Sequence, residues 1–173
     1  GKAVVAMPGG CNIGARKIDM HILGLEALGV EFKVEHGNIH ASAPHGITGE
    51  TVSLAFASVG ATENLMMASV FAKGVTVIDN AAREPEIVDL ATMLNKMGAN
   101  IQGAGSPVIE IHGVTELHPV EHEVVGDRIE AGTFLAIGAL TGEPITVHGF
   151  EPNHLGLVLK KYEQMGITIE AGD

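Results

Sequence analysis

The only cysteine in the 173 residues, Cys11, lies in a glycine-rich stretch from Pro8 to Asp19, "PGGCNIGARKID". Gly9, Gly10 and Gly14 permit positive φ and leave room for a ligand to approach the backbone. The stretch is not a Walker A loop, because no Lys-Ser/Thr follows the last glycine. Its glycine spacing also differs from that of a dinucleotide-binding loop. Any chemistry of this stretch therefore depends on the thiol.

Arg16 and a helix predicted to start near Ile18 follow the cysteine closely. A neighbouring cation and a helix N-terminus both favour the reactive thiolate form of a cysteine. A thiol in this setting can act as a nucleophile or as a proton donor near neutral pH. The alternative is an unreactive thiol in a structural turn.

The composition limits the classes of function. A single cysteine excludes an internal disulfide and a cysteine-based zinc site, and it fits a reducing compartment. The formal net charge of −11 argues against a nucleic-acid partner. No apolar run approaches the roughly 20 residues that span a bilayer. We therefore expect a soluble, cytoplasmic protein with no membrane partner.

The chain contains three arginines, Arg16, Arg83 and Arg128, each near a predicted loop-to-helix junction. Arginine is well suited to binding phosphate or carboxylate groups. The three are candidate ligand clamps, and the alternative is that they are simply surface charges.

The elements that must position these residues form an internal repeat. Three segments each combine a helical pattern, a Leu/Met-Gly stop and an alternating strand, and their stop glycines are Gly29, Gly98 and Gly166. A second set, Val4-Val5, "GVTVIDN" from Gly74 and "EPITVHGF" from Glu143, recurs at similar spacing. A unit of strand, helix, three strands and helix, about 69 residues long, therefore repeats roughly two and a half times.

Two kinds of helix are predicted in each unit. The residues from Ile87 to Met97 and from Leu155 to Met165 have a 3.6-residue apolar period, and glycine follows each in the left-handed C′ position. "LMMASVF" from Leu65 and "FLAIGAL" from Phe134 are apolar on nearly every face, which predicts helices buried all round. The fold class is therefore α/β (α+β), with buried helices surrounded by small mixed sheets.

Four blocks of the sequence, "PGGCNIGAR", "FASVGATEN", "DNAAREPEIVDLA" and "GDRIEAGTF", occur in that order. Together they resemble the UDP-N-acetylglucosamine 1-carboxyvinyltransferase family of enolpyruvyl transferases, which open peptidoglycan synthesis. The resemblance runs through essentially the whole chain and implies two clamshell domains of repeated units, an inside-out barrel. The sister family, 5-enolpyruvylshikimate-3-phosphate synthase, shares the fold but not the cysteine loop.

The resemblance implies roles for individual residues. Cys11 is the general acid that helps protonate the phosphoenolpyruvate methylene, forms a covalent adduct with that substrate, and is the target of fosfomycin. Arg16 contacts both phosphoenolpyruvate and UDP-N-acetylglucosamine. The remaining candidate contacts to the nucleotide sugar are Lys17, Ile18, Asp19, Met20, Phe56, Ala57, Ser58, Val59 and Gly60. Ser58 is also predicted at a helix N-terminus, where free N–H groups favour a diphosphate.

Supporting positions have structural alternatives. Arg83, Glu84 and Glu86 match a motif near the active-site wall, but they are also typical charges and caps of a first helical turn. Asp127 and Arg128 match a pair near the crossing between domains. With Glu130, however, Asp127 also forms a capping-box pattern.

Lys17 departs from the resembled family, which usually has a proline packed on the uracil at this position. The family's N-terminal Lys-Asn pair, an upstream arginine, the catalytic aspartate and several phosphoenolpyruvate-binding arginines have no counterpart here. We therefore expect an internal fragment, with residues 1–124 ending the first domain and residues 125–173 beginning the second.

His36, His40 and His45 raise the alternative of a metal site around a turn at Gly37-Asn38. No carboxylate or cysteine completes the set, and the reaction of the resembled family needs no metal or other cofactor. We therefore expect exposed hairpin histidines. Two alternative functions stay open: a sister enolpyruvyl transferase acting on another alcohol, and a non-catalytic repeat or binding module.

Overall fold

A computed structural model of the chain describes residues 1–9, 17–170 and 172. The chain forms two compact units, Gly1–His122 and Glu123–Asp173. The assignment of residues 1–124 and 125–173 to two domains of a larger enzyme stays a prediction. Within the described ranges, no helix has the length and apolar character needed to cross a bilayer.

The first unit contains all of the strands found in the described residues. They are β1 (Lys2–Ala6), β2 (Glu31–Glu35), β3 (Asn38–Ser42), β4 (Thr51–Ser53), β5 (Val75–Asp79), β6 (Asn100–Gln102) and β7 (Val108–His112). Its helices are α1 (Asp19–Ala27), α2 (Val59–Ser69) and α3 (Pro85–Lys96). The second unit contains α4 (Arg128–Thr141), a 3-10 helix (Pro152–Leu155) and α5 (Gly156–Gln164).

The two sheets of the first unit repeat one topology. The first sheet has the strand order β1-β3-β2, and the second has the order β4-β5-β7-β6. In both, the strand before the amphipathic helix pairs antiparallel with the last strand of the following hairpin. β4 is added to the second sheet in parallel to β5. The predicted fold of repeated units with small mixed sheets is therefore confirmed.

The three stop glycines end their helices in the same way. Gly29, Gly98 and Gly166 have φ of +92°, +109° and +88°. In each case the glycine N–H donates to the carbonyl three residues earlier, and the next N–H donates to the carbonyl five residues earlier, at 2.9–3.1 Å. This is the Schellman motif, which requires a left-handed residue at C′. The C′ prediction is confirmed at all three positions.

The first hairpin turns one residue earlier than predicted. Glu35 pairs with Asn38, so the two-residue loop is His36-Gly37 and not Gly37-Asn38. His36 and Gly37 have φ of +50° and +78°. Positive φ at both central residues is the requirement of a type I′ turn, whose twist suits a two-residue hairpin.

Helix α2 lies at the centre of the first unit. Leu65 and Met66 are fully buried and pack with residues of α3 and the second sheet. Its two outermost apolar residues differ from the prediction of a helix buried all round. Met67 is 47% exposed, and Phe71, beyond the end of the helix, is 54% exposed. The strands and helices of the unit surround only part of the helix circumference.

Helices α1 and α2 approach each other closely because glycine stands at the contact. Gly24 is buried, and a Cβ atom at this position would lie 2.7 Å from Leu65 Cδ2. Carbon atoms pack at about 3.5–4.0 Å, so the contact has no room for a methyl group.

The segment after β7 stays attached to the first unit. The N–H of Val114 donates to the Val70 carbonyl at 2.8 Å, and the N–H of His118 donates to the Met97 carbonyl at 2.7 Å. The His122 side chain is only 6% exposed, and its Nε2 lies 3.0 Å from Asp89 Oδ1. These contacts fix the path of the chain to the end of the unit.

Two predictions about the second unit are wrong. "EPITVHGF" and "ITIE" form no strand, and Phe134, Ile137 and Leu140 of the predicted buried helix are 46%, 45% and 86% exposed. A strand requires a neighbour that completes its hydrogen-bond ladder. In the described part of this unit the two segments have no such neighbour, so no sheet covers α4.

We expect Gly24→Ala to lower the free energy of unfolding by about 1–3 kcal/mol, because the added methyl group overlaps Leu65. Leu65→Val removes the overlapping Cδ atoms and costs about 1 kcal/mol by itself. The double variant should be more stable than the sum of the two single effects predicts. Urea denaturation of the four proteins measures this coupling, and strictly additive losses would show that the two side chains do not meet.

Candidate functional site

The described part of the cysteine segment begins at Lys17, so Cys11 and Arg16 lie outside the described residues. Ile18 is the N-cap residue of α1. Asp19 is exposed, and its Oδ1 accepts a hydrogen bond from the N–H of Met20 at 3.0 Å. Met20 packs against the core. The core contact of Met20 therefore holds this segment, while Lys17 and Asp19 face solvent.

The second nucleotide-sugar segment has a similar arrangement at the start of α2. Phe56 and Ala57 are exposed, and Val59 packs against the core. Ser58 is the N-cap residue, as predicted, and its Oγ accepts a hydrogen bond from the N–H of Ala61 at 3.4 Å. The first N–H groups of a helix have no intrahelical acceptor. The start of α2 therefore presents donors that suit an anion.

The structure brings these two segments together. His21, the third residue of α1, lies with its Nδ1 2.7 Å from the Asn64 Nδ2 of α2. Its ring rests on Gly60, where an added Cβ atom would lie 3.3 Å from His21 Cε1. The starts of α1 and α2 are thus neighbours on one edge of the first unit.

The segment before α3 also contacts helix α2. Thr62 Oγ1 accepts a hydrogen bond from the N–H of Ala82 at 3.0 Å. Arg83 is exposed, and Glu84 is the N-cap residue of α3, with its Oε2 2.9 Å from the Arg83 N–H. Glu86 lies in the first turn. Glu86 thus supplies the expected first-turn charge, whereas the side chain of Glu84 makes no capping hydrogen bond to the helix. A role of these residues in substrate binding stays a prediction.

Glu63 adds a carboxyl group between α2 and α3. Its side chain is partly buried, and this burial raises the pKa of the carboxyl group above its ordinary value. The negative charge of Glu86 raises the pKa further. The carboxyl groups of Glu63 and Glu86 are therefore close enough to repel each other.

Asp127 and Arg128 belong to the second unit. Asp127 is the N-cap residue of α4, and its Oδ1 accepts hydrogen bonds from Ile129 at 2.8 Å and Glu130 at 3.0 Å. Arg128 is the first residue of that helix. The capping role of Asp127 is confirmed, and a place for the pair near the crossing between domains stays a prediction.

The hairpin histidines are not gathered into one site. His36 and His45 are exposed and His40 is half-buried. Within the described ranges, no group of three or more His, Cys, Asp or Glu side chains is arranged to hold a metal ion.

Three side chains at this edge were not identified from the sequence: His21, Glu63 and Asn64. Glu63 and Asn64 stand inside the quoted block "FASVGATEN", and His21 follows directly after Met20. The sequence signal that could have identified these three residues is their position next to the two nucleotide-sugar segments. Their contacts join different helices, and sequence spacing within one helix does not show such contacts.

We expect Glu63→Gln to stabilise the chain at neutral pH. A carboxyl group with a raised pKa binds more protons in the folded than in the unfolded state, so its contribution to stability falls as pH rises from the ordinary to the raised pKa. The gain should therefore be larger at about pH 7 than at about pH 4. Thermal unfolding at both values measures it, with exposed Glu121→Gln as the control. An equal gain at the two pH values would contradict the raised pKa.

The chain is similar to known proteins in both sequence and structure. A family model described as EPSP synthase (3-phosphoshikimate 1-carboxyvinyltransferase) matches residues 1–173. The solved structure of the enolpyruvyl transferase NikO from Streptomyces tendae matches this chain with a TM-score of 0.79 and 20% identity. The match covers 99% of this chain and 42% of the NikO chain. An EPSP synthase from Acinetobacter baumannii gives a TM-score of 0.68 at 20% identity, over 95% of this chain and 37% of that one. These structures support the fold.

Curated relatives are closer in sequence. A protein named UDP-N-acetylglucosamine 1-carboxyvinyltransferase 1 from Staphylococcus aureus is 53% identical over 170 residues, which are 98% of this chain and 40% of the relative. A protein of the same name from Symbiobacterium thermophilum is 57% identical over 169 residues, which are 98% of this chain and 38% of the relative. The chain spans about two fifths of the length of these relatives. The expected resemblance is thus confirmed, and the chain belongs to the EPSP synthase (3-phosphoshikimate 1-carboxyvinyltransferase) family of enolpyruvyl transferases.

Proposed function

We propose that the full-length protein containing this chain transfers the enolpyruvyl group of phosphoenolpyruvate to the 3-hydroxyl of UDP-N-acetylglucosamine. The observation that carries the proposal is the 53% and 57% identity, over 98% of the chain, to relatives named for this activity. The cysteine loop supports the same assignment, because the sister synthase family is expected to lack it. The 173 residues supply part of the active site, and the remaining substrate contacts come from other parts of the full-length protein.

Cys11 is the proposed catalytic residue. The sugar hydroxyl adds to C2 of phosphoenolpyruvate while C3 takes up a proton, and loss of phosphate with a C3 proton then restores the double bond. Cys11 helps supply the C3 proton, since a thiol placed near a cation and a helix N-terminus exchanges protons near neutral pH. The same sulfur forms the covalent adduct with phosphoenolpyruvate and reacts with fosfomycin.

Substrate binding is assigned to the two segments that meet at the edge of the first unit. Arg16 contacts both substrates, residues 17–20 surround the uridine, and Asp19 accepts a hydrogen bond from the base. Residues 56–60 bind the diphosphate, with the N–H groups at the start of α2 as donors. The N-cap position of Ser58 supports this role, because the first N–H groups of a helix have no acceptor within the helix.

The proposed reaction is the first committed step of peptidoglycan synthesis and takes place in the cytoplasm without a metal or other cofactor. It therefore supports cell-wall formation, and through it cell shape and division. Residues 1–124 complete the first domain of the enzyme and residues 125–173 start the second. Arg83, Glu84, Glu86, Asp127 and Arg128 support the site from its wall and from the domain crossing.

We expect the full-length protein to release phosphate from phosphoenolpyruvate only when UDP-N-acetylglucosamine is present. The isolated 173-residue chain should release none, because it lacks most of the cations that stabilise transition-state charge. A coupled phosphate assay with both proteins measures this. Turnover with shikimate 3-phosphate instead would assign the protein to the sister reaction, and turnover with neither alcohol would favour a binding module.

We expect Arg16→Ala in the full-length protein to slow alkylation of Cys11 near neutral pH and to weaken substrate binding. A charge-assisted contact contributes about 1.5–3 kcal/mol, which corresponds to about 10- to 100-fold in kcat/KM. Arg16→Lys keeps the charge without the planar guanidinium group, so it should restore alkylation better than binding.

Iodoacetamide labelling followed by peptide mass spectrometry gives the alkylation rate, and steady-state kinetics gives kcat/KM. Lys33→Ala is the matched control, because Lys33 is an exposed cation already paired with Glu35. If Arg16→Ala leaves both quantities within about two-fold of wild type, Arg16 is a surface charge. The clamp role is then wrong.

A further inference from the structure

The contact between the starts of α1 and α2 rests on a reciprocal fit of large and small residues. On the solvent side, the His21 ring of α1 lies on Gly60 of α2. One helical turn further, Leu65 of α2 lies against Gly24 of α1. Each helix therefore offers a glycine to a large side chain of the other. The Gly24 end is buried in the core, whereas the His21 end lies at the edge.

The hydrogen bond between Asn64 and His21 fixes the orientation of the ring. The amide nitrogen of Asn64 can only donate, so the Nδ1 of His21 accepts at 2.7 Å. The hydrogen of the neutral ring is then on Nε2. The Nε2 atom faces the first turn of α2, since it would lie 3.6 Å from a Cβ atom at Gly60. The ring is thus held by a hydrogen bond on one side and by van der Waals contact on the other.

The position of this contact connects the two segments proposed to bind the nucleotide sugar. His21 directly follows residues 17–20, and Gly60 is the last residue of the segment 56–60. The two segments are separated by more than thirty residues of chain, including the first-sheet hairpin. Their relative position at the edge depends on the contact between α1 and α2.

We propose that His21 and Asn64 are positioning residues for sugar-nucleotide binding. Their hydrogen bond holds the start of α1 against the start of α2. The distance between the uridine-binding and the diphosphate-binding segment then matches the length of one bound nucleotide sugar. This inference rests on the proposed function. Neither side chain needs to touch the ligand, and neither takes part in the chemistry at phosphoenolpyruvate.

An exposed side-chain hydrogen bond adds little to global stability, whereas a small displacement of binding groups weakens binding. This difference separates a positioning role from a merely structural one. Loss of the bond should raise the KM for UDP-N-acetylglucosamine, leaving kcat and the KM for phosphoenolpyruvate unchanged. The unfolding temperature should change little.

The test uses the full-length protein and measures steady-state kinetics for both substrates, calorimetric binding of UDP-N-acetylglucosamine, and thermal unfolding. We expect His21→Ala and Asn64→Ala each to raise the KM and Kd for UDP-N-acetylglucosamine about 2- to 10-fold. The double variant should resemble either single variant, because all three proteins lack the same bond. Asn64→Asp replaces the donor by an acceptor, and the ring proton can then move from Nε2 to Nδ1 and restore a hydrogen bond, so this variant should retain most of the affinity. His45→Ala is the control, because His45 is exposed and lies outside both helices in the sequence.

If the wild-type protein turns over UDP-N-acetylglucosamine, any one of three results would overturn the positioning role while leaving the proposed function in place. The first is a His21→Ala variant whose KM and Kd for UDP-N-acetylglucosamine stay within about two-fold of wild type. The second is additive losses in the double variant, and the third is an Asn64→Asp variant as weak as Asn64→Ala. A wild-type protein that neither binds nor turns over UDP-N-acetylglucosamine would instead reject the proposed function, and this inference with it.

Discussion

The burial of helix α2 is the constraint on which the first unit depends. Leu65 and Met66 are fully buried, and the core around them draws on β4, β5, β6 and β7 of the second sheet and on α3. A helix with so many apolar residues is stable in water only when other elements cover it. The second sheet and the flanking helices can be understood as that cover, and the glycines at the α1 contact allow one of the flanking helices to approach closely.

The same burial explains why the candidate site forms at one end of α2. In the middle of the helix the backbone N–H groups are paired within the helix, but the first turn carries N–H groups that have no acceptor in the helix itself. Ser58 accepts one of them, and Thr62 ties the loop before α3 to the same turn through Ala82. Elements distant in sequence therefore meet at this end of α2.

Two carboxyl groups at this edge raise an electrostatic cost. Glu63 and Glu86 repel each other, while the described cations nearest in sequence to the two segments are Lys17 and Lys73. Under the proposed function, two anionic substrates need more positive charge than these residues supply. The chain spans about two fifths of the length of its relatives, so the proposal assigns the remaining cations to other parts of the full-length protein.

The sequence by itself determined the local structure of this protein. The stop glycines and the caps at Ser58 and Asp127 follow from backbone geometry and from polar groups within a few residues, so they were predictable. The turn of the first hairpin was predicted to within one residue. The resemblance likewise predicted which segments carry the candidate site.

Tertiary structure decided which elements are neighbours. The apolar patterns of α2 and α4 are alike, yet one is buried and the other exposed, because only the first unit supplies strands to cover its helix. The His21–Asn64 contact joins residues 43 positions apart, and it exists only because close packing of α1 on α2 brings the starts of both helices to the same edge.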